Sequence, residues 1–94
     1  MTKVKSTPKY SMGRLFMTPG VAADLPMREV HEALCRHAQG DWGDVGPEDW
    51  AANDQSVQDG SRMLSSYRTI GGIKFWIITE GDRSMTTVLL PEEY

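Results

Sequence analysis

Two turn signals divide the last third of the chain into three β-rich runs, and no other pattern constrains the fold as strongly. The runs cover residues 62–70, 73–80 and 85–90, which are rich in β-branched and aromatic side chains. Gly71 and Gly72, between the first two runs, are typical of a tight hairpin, and residues 81–84 form a second turn. The pattern therefore predicts three consecutive antiparallel strands.

The lengths of these turns predict which residues lie opposite one another. A two-residue loop at the glycines places Ile70 opposite Ile73, whereas a four-residue second loop places Ile77 opposite Val88. The central run carries large apolar side chains at odd and even positions, so both faces of the sheet need a cover. A single helix can cover only one of them.

An amphipathic helix is predicted upstream of the β-rich third. Asp24 is a suitable cap, Pro26 suits an early helical position, and Gly40 suits the C-terminal end. The stripe expected to face the sheet, at spacings of three and four, is Met27, Val30, Leu34 and Ala38. Beside this stripe we expect a buried Cys35 and a half-buried His31.

The remaining elements complete the predicted fold. A short peripheral helix begins at Pro47 and ends at Gly60, and residues 13–18 form a first strand. The result is an α+β domain with a mostly antiparallel sheet, the order β-α-α-β-β-β, and the amphipathic helix packed on the sheet. The domain spans residues 12–94, and residues 1–11 form a flexible basic leader.

Composition limits the classes of function. A chain of 94 residues can build one core and a shallow site, whereas a deep catalytic cavity would be unusual. The single cysteine, Cys35, excludes an intramolecular disulfide and the usual zinc patterns. The sequence has no apolar run of the roughly twenty residues that cross a membrane, and no apolar segment of a secretory signal follows the basic N-terminus. We expect a cytoplasmic protein without a cofactor or a bound metal.

Charge is segregated along the chain, although the net charge is only −3. The first 14 residues carry four bases and no acid, whereas residues 40–60 carry six acids and no base. An acidic segment attracts basic protein surfaces and repels nucleic acid, although it also suits a merely solvated face. The basic leader would bind nucleic acid only weakly. The residues predicted to contact a protein partner are Asp41, Trp42, Asp44, Glu48, Asp49 and Asp54.

The three tryptophans differ in their expected exposure. Trp50 and Trp76 are predicted to be buried, because one lies on a helix and the other in the central strand. Trp42 lies in a glycine-rich loop, so we expect it to be partly exposed. An exposed tryptophan ringed by polar residues is a typical interface anchor.

An alternative hypothesis is a small-ligand or divalent-metal site, with or without enzymatic activity. Glu80, Asp82 and Arg83 surround the second turn and could converge with Asp41 and Asp44. The spacing of the acids fits no EF-hand loop. Turn formation, with Arg83 paired to an acid of the acidic segment, explains the same residues structurally. A histidine and a cysteine four residues apart on the first helix lack recognisable helpers, so no catalytic residue is predicted.

A set of short motifs lies within residues 40–94: Gly40-Asp-Trp-Gly-Asp44, Glu48-Asp49, Asn53-Asp54, Arg62-Met-Leu-Ser65, Tyr67, Trp76-Ile-Ile-Thr-Glu80, Asp82-Arg83-Ser84, Thr86-Thr87 and Leu89-Leu-Pro-Glu-Glu-Tyr94. With these motifs, residues 13–94 resemble small bacterial proteins that occur on plasmids, phages and integrated elements. The resemblance implies no particular activity. It implies an accessory protein of a mobile element, and such proteins often bind and disable host machinery, including restriction and CRISPR systems.

The leading hypothesis is therefore a small acidic accessory protein that acts by binding a host protein and inhibits a defence system. The ligand or metal module is the alternative. A homodimer that covers the second face of the sheet is a further hypothesis, since one helix leaves that face open. The sequence names neither the partner nor its pathway.

Overall fold

The computed structural model describes residues 8–94, so residues 1–7 of the predicted leader lie outside the described part. In chain order the elements are strand β1 (Arg14–Met17), helices α1 (Pro19–Asp24), α2 (Met27–Ala38) and α3 (Pro47–Asp59), strands β2 (Met63–Arg68), β3 (Lys74–Thr79) and β4 (Met85–Leu89), and a final 3-10 turn (Pro91–Glu93). No helix within residues 8–94 is long and apolar enough to cross a membrane. The predicted α+β class is confirmed.

The four strands form one mixed sheet in the order β1-β4-β3-β2. Strands β2, β3 and β4 pair antiparallel, as predicted, and β1 joins the free edge of β4 in parallel. Helices α1 and α2 cover one face of the sheet, because side chains of both helices belong to a single apolar cluster with the strands. This core contains Val21, Leu25, Val30, Ala33, Tyr67, Phe75, Ile77, Val88 and Leu90.

Helix α1 is absent from the predicted element order, since Pro19 and Gly20 indicate only a break. Pro19 takes the first helical position, where its missing N–H costs nothing. The carboxylate of Glu93 accepts hydrogen bonds from the Thr18 hydroxyl and from the Gly20 N–H, the latter at 2.8 Å. The helix is thus held by a residue more than seventy positions away, which local sequence patterns do not reveal.

Glycines end α2 and α3 as predicted. Gly40 and Gly60 have φ angles of 81° and 80°, left-handed values that side chains with a Cβ rarely adopt. Pro47 is the first residue of α3, also as predicted. The start of α2 differs, because Asp24 belongs to α1 and the second helix begins only at Met27.

The predicted register of the β2–β3 hairpin is wrong by one residue. The Thr69 N–H donates to the carbonyl of Ile73 at 2.9 Å, so the loop contains Ile70, Gly71 and Gly72. Gly72 has a φ of 92°, as in the common three-residue hairpin that ends in a left-handed glycine. Ile70 is therefore the loop tip, 89% exposed, and does not face Ile73.

The shift in register decides which large side chains face the helices. Tyr67 lies opposite Phe75, and both rings point into the core beneath α2, with their centroids 5.8 Å apart. Trp76 therefore lies on the other face, where the ring of Tyr94 packs edge-on against it at 5.8 Å. The C-terminal turn supplies part of the cover that this face requires.

The second hairpin has the predicted geometry. Ile77 lies opposite Val88, and the Glu80 N–H donates to the carbonyl of Met85 at 3.0 Å, which leaves residues 81–84 as a four-residue loop. Within it Arg83 has a φ of 61°, an unusual value for a residue other than glycine. Contacts of the Arg83 side chain compensate for this conformation, as described below.

The burial of several side chains differs from the expectation. Trp42 is 0% exposed, whereas Trp50 and Trp76 are half-buried, so the predicted order of the tryptophans is wrong. Cys35 and His31 are both exposed. They lie outside the core because the stripe of α2 that packs on the sheet is rotated away from them.

Candidate functional site

The loop that follows α2 is attached to the edge of β2. Gly43 forms an isolated parallel bridge with Ser66. The Asp44 N–H donates to the Ser66 carbonyl at 2.7 Å, and the Ser66 N–H donates to the Trp42 carbonyl at 3.1 Å. Gly43 has a φ of 75°, and a Cβ there would lie 2.1 Å from the Ser66 oxygen. Glycine is therefore required at this position by both backbone conformation and space.

Trp42 is a structural residue, in contrast to the predicted partner anchor. Its indole N–H donates to the Asp54 carboxylate at 2.9 Å, which ties the loop to α3. Its ring stacks on Tyr10 at 6.2 Å and meets the edge of His37 at 5.4 Å. A fully buried Trp42 offers no surface to a partner, and Asp54, although exposed, is engaged as its hydrogen-bond acceptor.

Tyr10 belongs to the folded domain, although the sequence places it in the leader. Its hydroxyl donates to the His37 carbonyl at 2.6 Å, and the neighbouring Lys9 N–H donates to the Ala38 carbonyl at 2.9 Å. Burial raises the pKa of the Tyr10 hydroxyl well above its usual value. Residues 9 and 10 thus close the core at the end of α2.

Asp41 also has a structural role. Its carboxylate accepts hydrogen bonds from the Arg36 guanidinium at 2.8 and 3.3 Å and from the Gly43 N–H at 3.2 Å. These contacts, led by the hydrogen bond from Arg36, lower the pKa of Asp41. The Tyr67 hydroxyl donates to the Asp41 carbonyl at 2.7 Å, so the start of the loop is held from both sides.

The other acids of this region are free of such contacts. Asp44, Glu48 and Asp49 are exposed, and their carboxylates form no hydrogen bond or ion pair within residues 8–94. Glu48 and Asp49 lie in the first turn of α3, where the helix dipole favours negative charge. The three carboxylates therefore present negative charge at the surface without a direct partner in the described part of the chain, although the Arg36 guanidinium interacts with Asp44 over a longer distance.

One of these three carboxylates, Asp49, lines a groove between α3 and the edge of β2. The groove has a volume of about 230 Å³ and is lined by Val45, Asp49, Ala52, Asn53, Arg62, Met63 and Leu64. The Asn53 amide joins α3 to β2 in this lining, since it donates to the Leu64 carbonyl at 2.8 Å and accepts from the Leu64 N–H at 3.2 Å. We call this groove the acidic groove and include in it Asp44 and Glu48, which precede the lining residues Val45 and Asp49 in sequence.

The turn residues of the alternative hypothesis are engaged in the structure itself. The Glu80 carboxylate pairs with Arg62 at 3.6 Å. The Asp82 carboxylate accepts a hydrogen bond from the Ser84 N–H at 3.0 Å, and its contacts with Ser84 lower its pKa. Arg83 pairs with no acid in the described residues, so the predicted ion pair with the acidic segment is wrong. Its guanidinium donates to the carbonyls of Ser56, Ser61, Glu80 and Gly81.

These contacts fasten the turn to the end of α3. They also keep the turn and the Asp41–Asp44 loop from forming a shared site, because Asp41 is bound to Arg36 and Arg83 to backbone carbonyls. The Arg83 guanidinium lies over the Tyr10 ring at 5.5 Å, so an aromatic side chain lies next to the turn. Within residues 8–94 no group of three or more His, Cys, Asp or Glu is placed to hold a metal ion.

A buried polar network joins α2 to the sheet and was not predicted from the sequence. His37 is 0% exposed, and its ring nitrogens lie 2.5 Å from the Ser65 hydroxyl (Nδ1) and 2.8 Å from the Thr79 hydroxyl (Nε2). The Thr79 hydroxyl is also hydrogen-bonded to the Thr86 hydroxyl at 2.8 Å, and the Thr86 hydroxyl donates to the Met12 carbonyl at 2.7 Å. The sequence signal was a histidine one turn past an apolar position of an amphipathic helix.

The Met12 carbonyl is the last acceptor in this series of hydrogen bonds, and it fixes which group donates at every step. A carbonyl can only accept, so Thr86 donates to Met12 and must accept from Thr79. Thr79 then accepts from Nε2–H of His37, which leaves Nδ1 as the acceptor for Ser65. Neutral His37 is thus required in its Nε2–H tautomer, and burial lowers its pKa to about 3.

The pairing of Ser65 with His37 has the elements of a nucleophile and its base, but it is enclosed. Ser65, His37, Thr79 and Thr86 are each 0% exposed, so no substrate atom reaches the hydroxyl. The network is a satisfied polar layer of the core.

No family model matches this sequence, and comparisons with curated proteins and with solved structures give no match either. The resemblance to mobile-element proteins therefore remains a prediction.

Proposed function

We propose that this chain is a small accessory protein of a bacterial mobile element that acts in the cytoplasm by binding a host protein through its acidic groove. One observation carries the proposal. Asp44, Glu48 and Asp49 expose carboxylates that form no hydrogen bond or ion pair within residues 8–94, beside a groove whose lining is partly apolar. Exposed negative charge next to apolar surface is the composition that a basic protein surface complements.

The chemistry of the groove indicates how a basic partner would bind. A lysine or arginine of the partner can place its aliphatic stem against Val45, Ala52 and Leu64 and its charged end at Asp49. Asp44 and Glu48 extend the negative field around this contact and accelerate the encounter. Arg62 also lines the groove, and its charge is offset by Glu80, whose carboxylate lies 3.6 Å from the guanidinium.

A target with such a surface is a protein that handles nucleic acid, since its basic side chains serve phosphate groups. A restriction or CRISPR component presents a surface of this kind, and an acidic protein bound there would exclude DNA or RNA. Binding of this protein would then inhibit the defence system.

The test uses charge reversal at the three free carboxylates. Asp44→Lys, Glu48→Lys and Asp49→Lys are combined, and tagged protein is used to capture partners from nuclease-treated bacterial lysate. The matched control reverses Asp24, Glu32 and Glu92, three exposed acids away from the groove. Both variants change the formal net charge from −3 to +3, so they differ only in where the charge changes.

The expected result is one partner that wild type and the control variant retain and the groove variant loses, with an affinity that falls as salt increases. Retention by all three proteins, or equal loss from both variants, would refute the acidic groove as the contact. The reversed carboxylates at the start of α3 cost roughly 0.3–1 kcal/mol each through the helix dipole. Circular dichroism therefore verifies the fold, and the neutral variant Asp44→Asn, Glu48→Gln, Asp49→Asn repeats the test.

A further inference from the structure

The two edges of the sheet differ in how well their backbone groups are satisfied. At the β2 edge, the Gly43 bridge occupies Ser66 and the Asn53 amide occupies Leu64. At the other edge, β1 has only β4 as a neighbour. Within residues 8–94, β1 is therefore the open edge, and an open edge is a template for another strand.

The hydrogen-bond pattern of β1 shows which backbone groups are open. The N–H groups of Arg14 and Thr18 donate to carbonyls on the β4 side, and donors alternate in direction along a parallel strand. The N–H and C=O groups of Leu15 and Met17 consequently point away from the sheet. They lie in a strand that is exposed at all four positions.

The side chains around this edge are apolar. Leu15, Phe16 and Met17 are 55%, 42% and 47% exposed, and the neighbouring Met85 is 37% exposed. These four residues are half of the eight large hydrophobic side chains exposed within residues 8–94. A patch of this kind beside unpaired backbone groups is typical of an interface rather than of a solvated strand.

We propose that β1 pairs antiparallel with β1 of a second copy of this chain, which makes a symmetric dimer with a continuous eight-stranded sheet. A two-fold axis at Phe16 places Phe16 opposite its own copy and Leu15 opposite Met17 of the second copy. The outward N–H and C=O groups of Leu15 and Met17 then form the hydrogen-bonded pairs of an antiparallel ladder, with Phe16 as the non-hydrogen-bonded pair between them.

Charge complementarity favours this occupant. The same register places Arg14 opposite Thr18 of the second copy, and the Thr18 hydroxyl binds the carboxylate of Glu93. Arg14 has no ion pair within residues 8–94; its guanidinium lies only over the Phe16 ring, at 5.7 Å. The dimer therefore brings two unpaired guanidinium groups towards two carboxylates and sets no like charges opposite each other.

The closed β2 edge explains why pairing would stop at two copies. A sheet with two open edges extends indefinitely, whereas one open edge per molecule is consumed when two molecules pair. The proposal does not depend on the acidic groove, which lies on the β2 side of the sheet.

The first test is molecular mass by analytical ultracentrifugation, from micromolar to millimolar concentration. Wild type is expected to approach twice its 10.5 kDa mass, and Leu15→Pro is expected to remain monomeric. Proline at this position removes an outward N–H and breaks no bond to β4, so the fold survives. A wild type that stays monomeric throughout, or a Leu15→Pro variant that dimerises equally well, would overturn the proposal.

The second test checks the register and does not depend on the proline variant folding. In a Cys35→Ser background, Phe16→Cys places two thiols on Cα atoms about 4.5 Å apart, within the roughly 4.4–6.8 Å range of a disulfide. Leu15→Cys places them on a diagonal, at about 7–8 Å, where a disulfide does not form without movement. Mild oxidation should covalently link the first variant and spare the second. Equal linkage of both, or linkage of neither, contradicts the proposed register.

Discussion

His37 makes the stability of this protein depend on pH in a way that can be calculated. The folded protein holds the imidazole neutral, with a pKa of about 3, because burial penalises its charged form. An unfolded chain has a histidine pKa of about 6.5. Since the folded pKa is lowered, the unfolded state binds the proton first as pH falls, and acidification favours unfolding.

The magnitude follows from linkage. Between about pH 7 and pH 5 the proton taken up by the unfolded chain lowers the free energy of unfolding by about 2 kcal/mol. The loss continues at about 1.4 kcal/mol per pH unit until the pH approaches the folded pKa, and then it levels off. Most carboxylates remain ionised at about pH 5, so His37 dominates this first interval.

The assay is urea denaturation of wild type and His37→Gln at about pH 7 and about pH 5, followed by circular dichroism. His37→Gln should be less stable than wild type at neutral pH by roughly 1–3 kcal/mol, because one amide replaces the ring in a buried network. Its stability should nevertheless change little over the interval. His31→Gln, which removes the exposed histidine, is the matched control and should retain the wild-type pH dependence.

The comparison of slopes decides the outcome. If His37→Gln loses as much stability between the two pH values as wild type does, the buried imidazole is not the source of the dependence. Nitrogen NMR of wild type supplies an independent check, since it should show His37 as the neutral Nε2–H tautomer at about pH 5. A charged imidazole at that pH would refute the argument directly.

Three further predictions concern stability and are measured by thermal or urea unfolding. Gly43→Ala should cost more than about 3 kcal/mol, because φ is positive and a Cβ would lie 2.1 Å from the Ser66 carbonyl oxygen. Gly46→Ala has open space around it and should cost less than about 1 kcal/mol, the loss expected for alanine at the N-cap of α3; equal effects would contradict the steric argument. Asn53→Ala should cost roughly 2–3 kcal/mol, since two backbone groups at the β2 edge lose their partner, and Asn53→Asp should lose part of this because it keeps only the acceptor. Arg83→Met should cost about 1–2 kcal/mol through its lost bonds to carbonyls, with increased hydrogen exchange at the end of α3; unchanged exchange there would show that the turn does not hold the helix.

Local signals account for the start of α3, for the C-terminal ends of α2 and α3, and for the second hairpin. Pro47, Gly40 and Gly60 act through their own backbone preferences, so their positions in the helices follow from sequence alone. The β-rich runs on either side leave residues 81–84 as a four-residue loop, and this loop length sets the register of β3 and β4. The exposure of Asp44, Glu48 and Asp49 likewise follows from their charge, because burial without a partner is too costly.

Other features depend on contacts between distant residues. Gly71 and Gly72 suit either a two-residue or a three-residue loop. The longer one places Tyr67 opposite Phe75 beneath α2 and lets the Ile70 N–H donate to the distant Glu29 carboxylate at 2.7 Å. A one-residue change in register moves a side chain to the opposite face, so the local ambiguity became an error in the predicted pairing.

The residues of the candidate site were likewise predicted only in part from the sequence. Composition alone identified the acidic segment, whereas tertiary contacts decided that Asp41 and Asp54 support the loop and that Trp42 is core. The partners of His37, at Ser65 and Thr79, lie 28 and 42 residues away, and no periodicity within a helix encodes them. Sequence determined α2, α3 and the four strands, because their preferences are local, but it did not determine α1, which is held by the distant Glu93. Tertiary structure decided which polar groups are buried and which stay free, because hydrogen-bond partners are found only when the chain folds.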